Sequence, residues 1–154
     1  MAISKISNGG VATSGLPTGT VLQTVTNGTV GTVSGGTNTT LSDIANFTVS
    51  ITPTSTSSKI FVSVSCGMTN ALVGGANVQC SFSLLRDSTS LASTIAGAGT
   101  GSGGVQVRDS VAFSHLDSPS TASAVTYKVQ GLTNNASSAY YVNDGRIIVI
   151  EIAG

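Results

Sequence analysis

Alternation of apolar and polar residues in short runs constrains the fold of this chain more than any other feature. In Ile60–Cys66, Ile, Val, Val and Cys occupy every second position, with Ser63 and Ser65 among the residues between them. The run Val78–Leu84 repeats the pattern. A period of two residues is typical of a strand with one buried and one solvated face, and such strands form antiparallel sheets. The sequence therefore predicts an all-β protein.

Further runs with strand character occur before, between and after these two. They are Val21–Thr26, Ile44–Thr52, Val105–Leu116, Val125–Gln130, Tyr140–Asn143 and Arg146–Ile152. We expect the last two to form a hairpin around Asp144 and Gly145, because Asp-Gly favours two-residue turns. The glycine-rich stretch Gly97–Gly104 predicts a mobile loop at one end of the fold. About eight half-buried strands in 154 residues predict a single antiparallel β-sandwich, jelly-roll-like in its topology.

The scarcity of charge supports strands and limits the classes of partner. Charged residues make up 8% of the chain, against about 25% in a typical soluble domain. Because the formal net charge is zero and no basic stripe is present, nucleic acid is excluded as a partner. A surface with so little charge has weak colloidal repulsion. We therefore expect a protein that works while docked in an assembly.

Targeting signals are not visible in the sequence. The start, Met1–Lys5, has no apolar stretch of the length that a signal peptide needs. The longest apolar run, Ile147–Ile150, is far shorter than the roughly 20 residues of a membrane-spanning helix. We expect synthesis in a cytoplasm and no contact with a membrane.

The first 19 residues differ from the rest. They are rich in Gly, Ser and Thr, and their apolar anchors are Ile3, Ile6, Val11 and Leu16. Such a segment cannot bury enough surface to fold alone. One alternative is a terminal segment without fixed structure; we favour an attachment arm over residues 1–19, followed by a β-sandwich head over residues 20–154.

Residues with catalytic or ligand-binding potential are few and scattered. His115 is the single histidine, and with Asp117 nearby it suggests a Ser-His-Asp site, but no nucleophile elbow accompanies it. We expect His115 to be structural or to cap a turn. Asp109 is in phase with Val111, which predicts an inward-facing carboxylate paired with a basic residue of a neighbouring strand, or one at an interface.

Ligand motifs are also missing from the sequence. Gly97–Gly104 lacks the Gly-Lys-Ser/Thr ending of a phosphate-binding loop. The acidic residues do not have the spacing of a calcium loop. Neither a catalytic group, a cofactor site nor a metal site is predicted, so we do not expect an enzyme.

Two cysteines and one tyrosine pair complete the candidates. Cys66 and Cys80 lie on the apolar phase of consecutive predicted strands, so a disulfide across a hairpin and two free thiols both remain open. Cytoplasmic synthesis favours free, buried thiols. Of Tyr140 and Tyr141, one should face inward. Because Trp is absent and aromatics make up only 5% of the chain, the sequence offers few aromatic platforms for carbohydrate.

Four segments, taken in order, carry a family resemblance. They are Ile51-Thr-Pro-Thr-Ser-Thr-Ser-Ser-Lys-Ile, Leu85-Arg-Asp-Ser-Thr, the stretch from Phe113 to Gln130 with its Asp-Ser-Pro-Ser-Thr, and the ending Ile150-Glu-Ile-Ala-Gly. From about residue 17 to 154 the chain resembles a family of virion proteins of tailed phages, common in cyanophages and other aquatic phages and often described as fibre-like. The resemblance implies a β-sandwich head, usually trimeric, displayed on the particle.

The same resemblance sets expectations for partners and location. It implies a homotrimer bound to phage capsid or tail proteins through the arm, on a virion assembled in the host bacterial cytoplasm. Fibre-like members have a long repetitive shaft, which this sequence lacks, and this difference favours a capsid decoration (cement) protein. The alternative is the head of a tail fibre or tail-tip appendage, which adds a host-surface glycan as a partner.

Overall fold

The described part of the chain consists of strands and their connections. The structure, a computed structural model, describes residues 16–71, 77–100 and 106–154, and within these residues it contains nine strands. The strands are β1 (Val21–Thr26), β2 (Val33–Gly36), β3 (Ser42–Ile51), β4 (Lys59–Ala71), β5 (Asn77–Arg86), β6 (Thr89–Thr100), β7 (Gln106–Asp117), β8 (Val125–Thr133) and β9 (Tyr140–Ile152). The all-β prediction is confirmed.

Two antiparallel sheets form the sandwich. The five-stranded sheet has the order β1-β9-β4-β7, with β2 also paired to β9, and the four-stranded sheet has the order β3-β8-β5-β6. The pairs are nested around the β5–β6 hairpin: β4 pairs with β7, β3 with β8, and β1 and β2 with β9. Because successive pairs alternate between the sheets, the strand order is compatible with a long hairpin rolled into a jelly roll.

The core lies between the two sheets and is built from the alternating apolar positions. Buried side chains include Ile60, Val62, Val64, Cys66 and Met68 of β4 and Val78, Cys80, Phe82 and Leu84 of β5. The intervening positions of these strands include the small polar side chains that the alternation predicted, such as Ser63 and Ser65 of β4 and Ser81 of β5, together with the apolar Phe61. The inward phase of both strands is thus confirmed.

The predicted hairpin at Asp144 and Gly145 is wrong. β9 runs unbroken from Tyr140 to Ile152, and both of its halves pair with β4. Asp144 and Gly145 instead lie at a bulge, where the register against β4 shifts and Asp144 adopts a φ of 51°. A β-carbon on Gly145 would lie 3.0 Å from Cζ of Phe47, so the glycine allows that ring to pack closely. The turn-forming dipeptide therefore bends a strand without reversing it.

The prediction of a loop over Gly97–Gly104 is also partly wrong. Residues 97–100 belong to β6, where Gly99 pairs with Val78 and Thr100 with Asn77. Residues 101–104 lie outside the described residues. β6 itself and the four-residue β2 were not predicted, because neither has a clear two-residue alternation.

The sandwich has two distinct ends. The proximal end carries residues 16–20, the C-terminal residues 153–154 and the connections 52–58 and 118–124. The distal end carries the connections 37–41 and 134–139. The two ends differ in how they bury polar groups, and this difference locates the candidate site.

Candidate attachment site

The described start of the chain is tied to its C-terminal strand at the proximal end. The backbone N–H of Gly19 donates to the carbonyl oxygen of Ala153 at 2.8 Å, and the N–H of Ala153 donates to that of Thr20 at 2.8 Å. An open cavity of about 310 Å³ lies beside this junction. It is lined by Leu16, Leu22, Thr54, Ser55, Ser57, Ser58, Ala153 and Gly154. The described part of the chain therefore begins beside this cavity, at Leu16.

Of the four predicted arm anchors, the structure places one. Leu16 lines the cavity and is half-buried. Ile3, Ile6 and Val11 lie outside the described residues. The division into an arm of residues 1–19 and a head of residues 20–154 stays a prediction.

A fully buried carboxylate, Glu151, binds two residues that line the cavity, Thr54 and Ser58. Its Oε1 accepts hydrogen bonds from Ser58 Oγ at 2.7 Å, from Thr54 Oγ1 at 2.8 Å and from the Thr54 backbone N–H at 2.6 Å. Its Oε2 accepts one from Gln23 Nε2 at 2.6 Å. Glu151 thus joins β9 to β1 and to the connection between β3 and β4.

These four donors determine the charge state of Glu151. Burial alone would raise the pKa of this carboxyl, but the hydrogen bonds from Ser58, Gln23 and Thr54 outweigh burial and lower the pKa below its ordinary value of 4.5. A carboxylate that accepts four hydrogen bonds has little capacity left for a substrate proton or a cation. We interpret Glu151 as a structural anion that fixes the proximal end.

A second buried carboxylate, Asp117, joins the two sheets. Arg86 Nη1 donates to both of its oxygens at 2.8 Å, and Tyr127 Oη donates to Oδ2 at 2.8 Å. Asp117 belongs to β7 in the five-stranded sheet, whereas Arg86 and Tyr127 are register partners in the four-stranded sheet. Burial, and next the hydrogen bond to Asp117, raise the pKa of Tyr127 far above its ordinary value, so the phenol remains a donor.

Asp117 and Glu151 lie in the same cross-strand row of the five-stranded sheet, on either side of β4. Ile60 of β4 is the register partner of Asp117 on one side and of Glu151 on the other. Directly opposed residues of antiparallel strands point to the same face, so both acids point into the sandwich. The proximal end is therefore closed by two internally satisfied anions that flank an apolar residue.

The Ser-His-Asp possibility has no support from this geometry. His115 is half-buried on β7 opposite Val62, and both oxygens of Asp117 are occupied by Arg86 and Tyr127. That His115 is structural stays a prediction. Within the described residues, no group of three or more His, Cys, Asp or Glu side chains is placed to hold a metal ion. The same residues include no helix that is long and apolar enough to cross a membrane.

Asp109 does not face inward as predicted. Its side chain is exposed, and Oδ1 accepts a hydrogen bond from the Ser110 backbone N–H at 2.8 Å. Two basic residues of the four-stranded sheet bind other acids: Arg86 binds Asp117, and Lys128 binds Asp43 at 2.9 Å. Asp109 keeps the inward phase of β7, opposite the buried Met68 of β4, and is nevertheless exposed.

The cysteines and the tyrosine pair follow the predictions. Cys66 and Cys80 are both free and buried, and burial raises the pKa of each thiol to about 11. They do not oppose each other across a hairpin, because β4 and β5 belong to different sheets. Tyr140 is buried and Tyr141 is exposed, which confirms that one of the two faces inward.

Sequence reasoning missed the two buried acids, although a usable signal was present. Glu151 continues the inward phase of Ile147 and Val149 on β9, and Asp117 continues that of Val111 on β7. An acid in the inward phase at the end of a strand predicts a buried, hydrogen-bonded carboxylate. Their partners could not be found in this way, because Arg86, Ser58 and Gln23 are distant in sequence.

Comparison with known proteins gives only distant likenesses. No protein-family model and no curated protein matches the chain. Among solved structures, that of the infectious bursal disease virus Gt strain is similar with a TM-score of 0.45 and 14% identity, over 83% of this chain and 32% of that chain. The virus's VP2 subviral particle gives 0.41 and 13%, over 83% and 32%. The Stig cyclase FisC from Fischerella sp. TAU gives 0.38 and 12%, over 74% and 56%. The chain thus spans about a third of the viral chains, and these scores are below the level at which a shared fold or function follows.

Proposed function

We propose that this chain is a structural virion protein of a tailed phage, a trimeric capsid decoration protein anchored through its N-terminal arm and stabilising the shell. The observation that carries the proposal is the construction of the proximal end. There, Leu16, the first described residue, lines an open cavity, and two buried carboxylates join the strands around it. The resemblance of residues 17–154 to phage virion proteins supports the same function.

A rigid base at the attachment point suits a protein that transmits force. Glu151 ties β9 to β1 and to the connection 52–58, and Asp117 ties the five-stranded sheet to the four-stranded sheet. A pull on the segment before Leu16 would reach both sheets through these contacts. In a cement protein this would let the arm hold neighbouring capsid subunits while the head keeps its shape.

The proposal includes no catalysis. The two buried carboxylates at this end accept hydrogen bonds from side chains and backbone groups of the chain itself. General acid or base catalysis requires a group that can reach a substrate proton. Neither Glu151 nor Asp117 meets that requirement.

The copy number in the particle tests the proposal. The experiment is quantitative mass spectrometry of purified virions of the phage that encodes the chain, with the major capsid protein as the internal standard. We expect hundreds of copies per particle, all removed with the capsid when heads and tails are separated. Absence from purified virions would overturn the virion proposal, and a few copies that remain with the tails would overturn the decoration role.

A tail-appendage head is the second candidate, and one observation favours it. Tyr141 is exposed near the distal end, the end opposite the proposed attachment. An exposed aromatic ring at the outer end of a virion protein is the group on which a host-surface glycan would stack. Loss of adsorption to host cells in a Tyr141→Ala phage with normal particle yield would support this candidate over decoration.

A further inference from the structure

The outer face of the five-stranded sheet has an apolar cluster that its own fold does not cover. On β9, Ile148 and Ile150 alternate with buried residues and are only half-buried. Ile150 pairs with Phe61 of β4, and Phe61 pairs with Leu116 of β7. Because directly opposed residues share a face, these side chains form one continuous row on the outside of the sandwich.

The apolar cluster continues into the next row towards the proximal end. Val21 of β1 pairs with Ile152 of β9, and Val21 is 58% exposed and Leu116 is 56% exposed. In the next row towards the distal end, Ile148 is followed by two small polar residues, Ser63 and Ser114. The cluster itself is uncharged; Lys59 lies at its proximal margin, with its Nζ bonded to Ser118 Oγ at 2.8 Å.

The outer face of the four-stranded sheet has a different character. Lys128 forms an ion pair with Asp43 at 2.9 Å, and Gln130 Nε2 donates to the same carboxylate at 2.7 Å. Ser50 and Thr126 share a hydrogen bond at 2.8 Å. These polar groups of the face are satisfied by one another. Its apolar side chains, Ile95 and Leu132, lie on either side of Ser81.

From this contrast we infer that the outer face of the five-stranded sheet is the self-association surface, and that it packs against the same face of neighbouring copies. The inference deepens the proposed trimer and rests on it. The apolar cluster in the proximal half of this face carries no charge, so two copies can pack it together without burying an unpaired charge. The exposed Arg108 and Arg146 lie in the distal half of the face, away from the cluster. Closed symmetry lets one patch serve every subunit.

The size of the face fits such an interface. The face is four strands wide, and neighbouring strands are about 4.8 Å apart. Its longest strands, such as β4, have 13 residues, each about 3.3 Å long. The product of this width and length is roughly 800 Å². A standard protein interface buries about 800 Å² on each partner. Antiparallel sheets pack face to face about 10 Å apart, so two or three such faces can meet around one axis.

The orientation of the face fits the proposed function. A sheet face points perpendicular to its strands, whereas the proximal end lies along the strand direction. A head that stands on a particle by its proximal end therefore turns this face sideways, towards neighbouring copies. The apolar cluster lies in the proximal half of the face, where neighbouring heads anchored to one surface are closest.

Sedimentation velocity of the purified full chain, across a range of micromolar concentrations, tests the inference. Leu116→Glu and Val21→Glu place a charge in the face, and Ile95→Glu is the matched control, because Ile95 is 63% exposed on β6 of the other sheet. We expect a wild-type oligomer, a dissociation constant raised by about tenfold or more for each face variant, and no change for Ile95→Glu. Leu116→Ser, which copies the neighbouring Ser114, should weaken association without adding a charge.

Thermal unfolding followed by circular dichroism identifies any variant that fails to fold. A monomeric wild-type chain, or dissociation by Ile95→Glu and not by the folded Leu116 variants, would overturn the inference. The measurement needs no virion. If the Leu116 variants dissociate the wild-type oligomer, the result supports this surface even if the protein is absent from particles. If the protein decorates capsids and the Leu116→Glu variant stays oligomeric, the self-association surface is wrong and the proposed function stands.

Discussion

The two ends of the sandwich bury polar groups in opposite ways, and two tyrosines make the difference plain. At the proximal end Tyr127 donates its hydroxyl to Asp117 at 2.8 Å. At the distal end Tyr140 is equally buried, and among the described residues its hydroxyl has no hydrogen-bond partner. The phenol of Tyr127 is part of a hydrogen-bond network that joins the sheets, whereas Tyr140 contributes the packing of its ring.

The distal end is shaped around that ring. Tyr140 packs edge-on against Phe82, with ring centroids 5.8 Å apart, and a β-carbon on Gly35 or Gly131 would overlap the phenol. Burial, with a smaller contribution from Cys80, raises the pKa of Tyr140 to about 12. Among the described residues, the distal end is thus packed around an aromatic ring, with small buried polar groups at Thr133 and Ser138, whereas the proximal end buries two carboxylates.

Breaking the link between the sheets should have the largest effect on stability. Asp117→Ala leaves the largely buried Arg86 without its partner, and we expect a loss of about 3–5 kcal/mol in the free energy of unfolding. The matched control is Asp43→Ala, which breaks the ion pair with Lys128. The Asp43 side chain is 57% exposed, against 7% for Asp117, so the control should cost less than about 1 kcal/mol. Urea unfolding measures both, and equal losses would show that Asp117 does not join the sheets.

Replacing Glu151 should lower the free energy of unfolding by less than Asp117→Ala does, and the effect should depend on pH. Glu151→Gln replaces an accepting oxygen with an amide donor among groups that donate, which should cost about 1.5–3 kcal/mol. Because the folded state lowers the pKa of Glu151 below 4.5, its contribution is fully present above pH 4.5 and is lost as the pH falls through the lower folded value. Urea unfolding between pH 3 and pH 7 should show a steeper acid loss for the wild type than for the variant. Parallel curves would mean that Glu151 is not a stabilised anion.

The two tyrosines should respond with opposite signs. Tyr140→Phe removes a buried hydroxyl that has no partner, and we expect stability to be unchanged or to rise by about 1 kcal/mol. Tyr127→Phe, the matched change at the proximal end, removes a hydrogen bond to a carboxylate and should cost about 1.5–3 kcal/mol. Thermal unfolding of the two variants compares them directly. A clear loss in Tyr140→Phe would show that its hydroxyl is part of the distal packing.

The sequence was sufficient for the layers of the fold and insufficient for its connections. Alternation in β4, β5 and β8 identified the inward residues, because a two-residue period has one geometric meaning. The Asp144-Gly145 dipeptide misled, because a turn and a bulge both use a residue with positive φ. A bulge forms here, and not a turn, because β4 is long enough to pair with both halves of β9. That length is a property of the sheet and is not encoded near Asp144.

The site shows the same limit. Leu16 was predicted to be an anchor of the arm. The structure shows that it lines the proximal cavity, and its role in attachment stays a prediction. The acids beneath that cavity were overlooked, because scattered carboxylates in a sequence show no common partner. Ile60 brings Asp117 and Glu151 into one row only after β7 and β9 have paired with β4 on opposite sides.

Loading onto particles tests most directly whether the proximal end is the attachment end. The experiment adds purified protein to virions of a phage whose own gene for this chain is disrupted, and measures occupancy by quantitative mass spectrometry. The decisive variant lacks residues 1–15 and keeps Leu16–Thr20, so that the contacts of Gly19 and Thr20 with Ala153 remain; Tyr141→Ser alters the distal end as the control. We predict that the truncated chain folds normally and fails to load, while Tyr141→Ser loads as the wild type does. Normal occupancy by the truncated chain, or loss of loading by Tyr141→Ser, would contradict attachment through the arm at the proximal end.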